Sequence, residues 1–230
     1  MKKILLSIAL VMLASASWAQ EIREKEEIKG EVSSSLSALR LATDLVKYGY
    51  AQQSALSLAE ALQIINENPT QPLKAEREGE AADISDKSKS EGKSGKLSLD
   101  YDKILADAKE FADGDETIMK LLSQIEENGK VSHRGRVNGP SRTYEIVNGN
   151  GVDTYNISFM ANYLAEIAVS GDGDTDLDLY VYDSNGHLIA SDESYSDDCY
   201  VRWVPAWTGR FIVKIVNRGP LYNRYVLLTN

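Results

Sequence analysis

Between Asp172 and Asp198 the chain carries nine carboxylates and no lysine or arginine. Eight of them, all but Asp183, fall into two clusters. Asp172, Asp174, Asp176 and Asp178 lead into one alternating run, and Asp192, Glu193, Asp197 and Asp198 follow the next. Hard oxygen donors at this density are what Ca²⁺ takes, about six to eight of them in flexible geometry. Like charges held this close repel, so something must neutralise them. Asp172, Asp174, Asp176, Asp178, Asp192, Asp197 and Asp198 form the candidate calcium set. The Asp-x-Asp-x-Asp spacing of 172, 174 and 176 imitates the start of an EF-hand loop, but Leu177 stands where its sharp turn needs glycine. A strand-like run follows in place of a helix, so an EF-hand is excluded. A cation site at a sheet edge, or a solvated pair of acidic loops, remains. Asp178 and Asp183 have a second use as turn residues bonded to backbone.

Other chemistry is scarce. Two histidines and one cysteine exclude most His/Cys metal sites and any disulfide within the chain. No Gly-x-Ser-x-Gly, His-Glu-x-x-His or phosphate-cradling glycine loop occurs. His187 follows an Asn-Gly turn and is expected to face water, and His133 reads as a linker residue. Cys199 is either a small buried hydrophobe or half of an intermolecular disulfide, with burial the expected state. Aspartates on exposed loops lack the pocket that separates two carboxyl pKa values for glycoside hydrolysis. The chain is therefore read as no enzyme, with a secreted hydrolase using the acidic loops as the alternative.

Aromatic residues offer a different chemistry. Tyr180 and Tyr182 share the outward phase of the run Leu177–Val181. Tyr195 and Tyr200 flank the acidic loop, and Trp203 and Trp207 follow. A flat aromatic sheet face binds a polymer or a protein surface. Tyr180, Tyr182, Tyr195 and Trp207 are the candidate partner-binding residues; the plainer use of such residues is to complete a core.

The elements that position these groups are short strands. Nine of the twelve tyrosines lie in residues 131–230. Alternating runs at 144–147, 153–159, 164–169, 177–182, 187–190, 211–216 and 225–228 are broken by Asn-Gly and Asp-rich turns. This predicts an antiparallel sandwich with one face of each sheet buried. If 177–182 and 187–190 pair through Asn185-Gly186, both acidic clusters return to one end of it.

Here the sequence resembles a known family. Asp153-Thr154-Tyr155-Asn156-Ile157-Ser158-Phe159, then Asp176-Leu177-Asp178-Leu179-Tyr180-Val181-Tyr182-Asp183 and Asn185-Gly186, occur in order. Leu188-Ile189-Ala190-Ser191-Asp192 and Thr208-Gly209-Arg210-Phe211-Ile212-Val213-Lys214-Ile215 follow. Over about residues 140–230 the chain resembles the bacterial pre-peptidase C-terminal domain. The resemblance implies a β-sandwich of jelly-roll type. It also implies attachment to secreted proteases and, in some members, binding of calcium or extracellular matrix polymers. The protease partner is absent; a helical segment precedes the domain instead.

That segment, 20–130, reads as about four amphipathic helices. Leu36, Leu39, Ala42, Leu45 and Val46 make one stripe, closed by Gly49. Ala55, Leu58, Ala59, Leu62 and Ile65 make a second, stopped by Asn68-Pro69. Ile104, Leu105, Ala108 and Phe111, then Ile118, Leu121, Leu122 and Ile125, make two more. Asp113 or Asp115 caps the last of these, and Asn128-Gly129 ends it. Twelve of the 29 residues at 70–98 are charged, which predicts a mobile linker. The small residues of the first two helices suit close packing or a partner helix.

At the start, Met1-Lys2-Lys3, the apolar run Ile4–Ala14 and Ser17-Trp18-Ala19 describe a secretory signal peptide cleaved after Ala19. Cleavage removes Lys2 and Lys3 and no acid, so the net charge of −10 becomes about −12. An acidic chain of this kind is no nucleic-acid phosphate binder. No other segment is long and apolar enough to span a bilayer. The sequence thus predicts an α+β protein in three parts: leader 1–19, helical module 20–130 with its linker at 70–98, and β-sandwich 131–230. It is expected in the periplasm or outside the cell, as a binding or adhesion-type accessory protein whose partner is a protein or an extracellular polymer. Docking of an envelope partner through the helical half is the remaining alternative.

Overall fold

The computed structural model describes residues 33–80, 97, 99–132 and 139–230. The expected leader, the charged start at 20–30, His133 and the greater part of the 70–98 segment lie outside the described residues.

The helices are α1 (Ser34–Gln52), α2 (Ala55–Glu67), α3 (Tyr101–Phe111) and α4 (Glu116–Ser132). Their apolar stripes are buried as the spacing predicts, with Leu36, Leu39, Leu58, Leu62, Ile104 and Leu122 fully covered. Ser33 caps α1 by accepting from the Leu36 amide, and Asp100 caps α3 through Lys103. Asp115, rather than Asp113, caps α4 through the amides of Thr117 and Ile118. Two glycines expected to end helices do not. α1 runs past Gly49 to Gln52, and α4 runs past Gly129 to Ser132. A Cβ at 49 would lie 2.5 Å from Leu58 Cδ2, and one at 129 would lie 2.8 Å from Asn66 Oδ1. Both glycines mark where a neighbouring helix comes close, a demand that looks in sequence like a helix stop.

The supposed linker also carries structure. Gln71–Pro72 form β1 and Arg77–Glu78 form β2. The sandwich follows: β3 (Ser141–Val147), β4 (Val152–Phe159), β5 (Ala165–Gly171), β6 (Leu177–Tyr182), β7 (Leu188–Asp192), β8 (Asp198–Trp203), β9 (Gly209–Asn217) and β10 (Asn223–Thr229). The first sheet has the order β1-β3-β10-β5-β8 and the second β2-β4-β9-β6-β7. Most connections cross between sheets, and together they make the two-sheet jelly-roll wiring. The fold class read from the sequence, α+β with helices before an antiparallel sandwich, is the observed one. Residues 198–203, outside the alternating runs read from the sequence, are β8, with Cys199, Val201 and Trp203 turned inward. β1 pairs with β3 and β2 with β4, so residues 71–78 cross from one sheet edge to the other. Charge composition misses this because two-residue edge strands need little apolar surface of their own.

The sandwich core is filled from both sheets, with Tyr155, Leu177, Leu179, Phe211, Val213 and Ile215 facing Ile167, Val169, Val201, Tyr225 and Leu227. A second core lies outside the first sheet. Ala168, Val226 and Leu228 pack there with the helices, and Tyr200 joins them. The central strands of the first sheet, β5 and β10, are therefore buried on both faces, against the expectation of one buried face per sheet. Its strands say so in retrospect: Ala165–Val169 is buried at every position, where a half-covered strand would alternate.

Two buried carboxylates tie the layers. Glu166 on β5 is fully covered. It accepts from the Ser33 amide at 2.7 Å, at the start of α1, and from the Tyr200 hydroxyl. A negative charge at a helix N-terminus is well placed against the helix dipole. Asp153 on β4 is 1% exposed. It accepts from Tyr225 at 2.6 Å and pairs with Arg77 of β2 at 2.8 Å, while the Tyr155 and Tyr225 hydroxyls share a 2.6 Å bond. Burial pushes both phenols well above their ordinary pKa, so they stay protonated.

Candidate functional site

β6 and β7 pair as a hairpin, with Tyr180 opposite Ser191. Both acidic clusters therefore meet at one end of the sandwich, as the turn predicts. There the carboxylates serve as acceptors for the loops themselves. Asp172, fully buried, accepts from the Arg224 amide at 3.1 Å. Asp176 accepts from the Ser196 amide at 3.0 Å, and Asp197 from Gly173. Asp192 takes the amides of Ser194 and Tyr200 at 3.1 and 2.8 Å. Burial opposes ionisation of Asp192, but those bonds outweigh it and hold its carboxyl below the ordinary value.

The neutralising charges come from distant parts of the chain. Lys47 of α1 lies 2.7 Å from Asp198 and 3.5 Å from Asp197. Arg218 pairs with Asp178, and the Arg224 guanidinium lies 3.8 Å from Asp172. No reading confined to residues 172–198 finds them; the one signal is that an acidic end of this density needs cations. Among the described residues no three His, Cys, Asp or Glu groups converge on a point that would hold a metal ion. Asp174 sits between Gly173 and Thr175, half-buried, and does not complete such a set. The seven aspartates proposed for calcium meet at one end, where most of them accept hydrogen bonds from the loops or pair with cations.

Cys199 and His187 lie in different settings. Cys199 is 1% exposed and its thiol donates to the Leu177 carbonyl, with burial pushing its pKa up. His187 is on the surface at the β6–β7 turn, its Nδ1 3.0 Å from Asp183. Burial works against Asp183 ionising, yet its bonds from His187 and Asn185 hold its carboxyl below the ordinary value.

The aromatic residues divide three ways. Tyr180 and Tyr182 lie on the outer face of the second sheet, their ring centroids 6.2 Å apart and nearly parallel. Cross-strand neighbours place Thr154, Lys214 and Ser191 in the row of Tyr180, and Asn156, Ile212 and Leu188 in the row of Tyr182. Lys214 Nζ lies 5.4 Å from the Tyr182 ring, and Arg218 donates to the Tyr180 hydroxyl at 2.8 Å. Burial, together with the bond to Asp178, pushes the Tyr180 phenol up to about 12. No described helix packs on this face, whereas the outer face of the first sheet is covered. Tyr195 is fully exposed on the acidic end. Trp207 is 40% exposed beyond the opposite end of β9. Tyr200 is under α1, bonded to Glu166, with the Arg40 guanidinium 4.4 Å from its ring. The four candidate aromatics thus do not make one surface; two of them do. Ile212 and Lys214, which complete that face, share the outward phase of β9, and strand register sets them beside the two tyrosines.

No protein-family model matches the chain, and no curated protein does. Among solved structures, the crystal structure of Aeromonas hydrophila PliG, a periplasmic lysozyme inhibitor of g-type lysozyme, is similar to it. The TM-score is 0.32 and the sequence identity 11%, covering 40% of this chain and 84% of that one. A likeness this slight carries no function across.

Proposed function

We propose that this chain is an exported, non-catalytic binding protein of the accessory type. Its partner, a protein or an extracellular polymer, docks on the open face of the second sheet around Tyr180 and Tyr182. The observation that carries the reading is the unequal treatment of two otherwise similar sheets: helices cover one outer face and no described helix covers the other. The uncovered face holds a pair of tyrosines, a lysine and the side chains of Ile212 and Leu188, a mixture suited to stacking and to hydrogen bonding. The resemblance of residues 140–230 to pre-peptidase C-terminal domains, which accompany secreted enzymes, supports the same reading, as does the leader-like start. The acidic end enters as a brace for the loops and not as chemistry.

The test passes an envelope extract and a panel of soluble polysaccharides over the immobilised chain and over its Tyr180→Ala/Tyr182→Ala variant. A retained partner should lose at least about tenfold in affinity for the variant, roughly 1.4 kcal/mol, with circular dichroism unchanged. A partner held equally by both forms would remove the open face from the proposal. Turnover on a hydrolase substrate panel that disappears with Asp192→Asn or Asp197→Asn would overturn the non-catalytic part.

A further inference from the structure

The end of the sandwich opposite the acidic loops has the reverse character. Phe159 pairs with Gly209 and Ala165 with Trp203, so the β4–β5 and β8–β9 loops emerge side by side. Residues 159–165 and 203–209 contain no charged residue and no histidine, in a chain that is 26% charged. Their apolar side chains point outward: Met160 is 62% exposed, Tyr163 52%, Val204 38% and Trp207 40%.

The loops are held in this pose. The Ala161 amide donates to Thr208 Oγ1 and the Asn162 amide to the Pro205 carbonyl, both at 2.9 Å. Asn162 takes the left-handed conformation, φ 64°, that the tight turn demands. Asn230 Nδ2 donates to the Leu164 carbonyl at 2.9 Å. Beneath them Phe159, Trp203 and Phe211 fill the space, with centroid separations of 4.8 Å and 5.6 Å, and Trp207 stacks on Phe211 at 5.6 Å. With the interior already full, the exposed residues have nowhere to fold back.

Among the described residues, the exposed charged side chains that flank the loops are both arginine. Arg202 and Arg210 flank the loops, both are exposed, and neither forms an ion pair among the described residues. The carboxylates of the neighbouring strand ends, Glu166 and Asp183, are 0% and 4% exposed and already bonded. The dense acidic cluster lies at the far end. A tip of exposed Trp, Tyr, Met and Val flanked by two arginines matches a bilayer surface with anionic headgroups. Aromatic rings favour the headgroup level, and arginine heads reach phosphate while apolar side chains enter the acyl boundary. Such a pose turns the acidic end away from the like-charged lipid. We infer that the tip formed by residues 159–165 and 203–209 is a peripheral membrane-docking site for anionic phospholipid. It is separate from the open sheet face, and neither depends on the other.

The experiment uses the protein recovered from an export-competent bacterial host and vesicles of phosphatidylglycerol with phosphatidylethanolamine, with phosphatidylcholine vesicles as the neutral control. The protein should sediment with the anionic vesicles and less with the neutral ones, and lose binding as salt rises. Lipid brominated on its acyl chains should quench its tryptophan fluorescence. Met160→Asp/Tyr163→Asp alters two exposed side chains and should weaken vesicle binding at least about tenfold with the melting curve kept. Arg210→Glu should weaken binding to anionic vesicles alone, and Tyr195→Asp at the opposite end should change nothing. Absence of vesicle binding, or binding that Met160→Asp/Tyr163→Asp leaves intact, overturns the proposal. Capture of an envelope protein that this variant loses, in the absence of lipid, would assign the tip to a protein partner instead.

Discussion

The two sheets of the sandwich contribute equally to one core but meet different surroundings on their other sides. Outside the first, Ala168, Val226 and Leu228 are buried under helices. Outside the second, Tyr180, Tyr182, Ile212 and Lys214 are only partly covered. The strands carry this difference in their burial. β5 and β10 are buried at nearly every position, while β9 and the end of β6 alternate. A strand that does not alternate is one that two layers compete to bury. The comparison separates what the chain spends on stability from what it leaves available for contact.

The largest effect should come from placing the same charge on each side of it. Ala168→Asp would bury a carboxylate between β5 and the helices, which the neighbouring Arg40 offsets only in part, at a cost of about 3 kcal/mol. Lys214→Asp on the open face should cost about 1 kcal/mol or less. Urea unfolding of the two variants reads the difference. Equal costs would mean that the helical layer does not seal the first sheet.

Asp153 tests the strap that joins the two sheets. Asp153→Ala removes the carboxylate shared by the Tyr225 hydroxyl and the half-buried Arg77, which keep only Tyr155 and the Ile146 carbonyl with Glu145 respectively, so a loss of about 2 kcal/mol is expected. Asp153→Asn keeps an acceptor oxygen and should lose less. If both lose equally, the charge on Asp153 matters more than the bond to Tyr225. If neither loses anything, residues 71–78 do not hold the sheet edges.

Much of this was legible in the residues. The stripe Leu36–Val46 and the alternation Leu177–Tyr182 name a helix and a strand without help, because period alone decides them. The Asn185-Gly186 turn is enough to bring both acidic clusters to one end. What period cannot report is who lies opposite. Lys47 and Asp198 are far apart in the chain, so the neutralisation of the acidic end is invisible until α1 is docked on the first sheet. Trp207 and Tyr182 share a composition but sit at different places along the sandwich, which only register reveals. Gly49 and Gly129 show the same limit: glycine is read as a helix end, yet here it answers to a neighbouring helix.

A smaller effect is expected at Asp192, whose bonds to Ser194 and Tyr200 close the β7–β8 turn. Asp192→Ala should cost about 1 kcal/mol at neutral pH. The folded carboxyl titrates below its ordinary value of 3.8. The stability it contributes is therefore present above that value and is lost as the pH falls through the lower folded one. The gap between the parent and Asp192→Ala should close in strong acid and be constant from pH 6 to 8. A gap that grows on acidification would reverse the sign and remove the amide bonds as its cause.

The smallest expected effect is that of calcium on the unaltered chain, and it bears on whether the helical cover also serves the acidic end. A ligand held only by the folded state at a hundred times its dissociation constant adds about 2.7 kcal/mol. For a chain of this size that is roughly 5–10 °C in melting temperature. With Lys47, Arg218 and Arg224 already against Asp197, Asp198, Asp178 and Asp172, millimolar Ca²⁺ should shift the melt by less than about 2 °C relative to chelator. Lys47→Met removes the cation that α1 supplies while keeping its aliphatic length. The parent is then expected to stay indifferent to calcium, while the variant melts lower and recovers part of the loss when Ca²⁺ is added. A large shift in the parent, abolished by Asp176→Asn, would instead make the acidic end a cation site in its own right, with Lys47 a bystander at its edge.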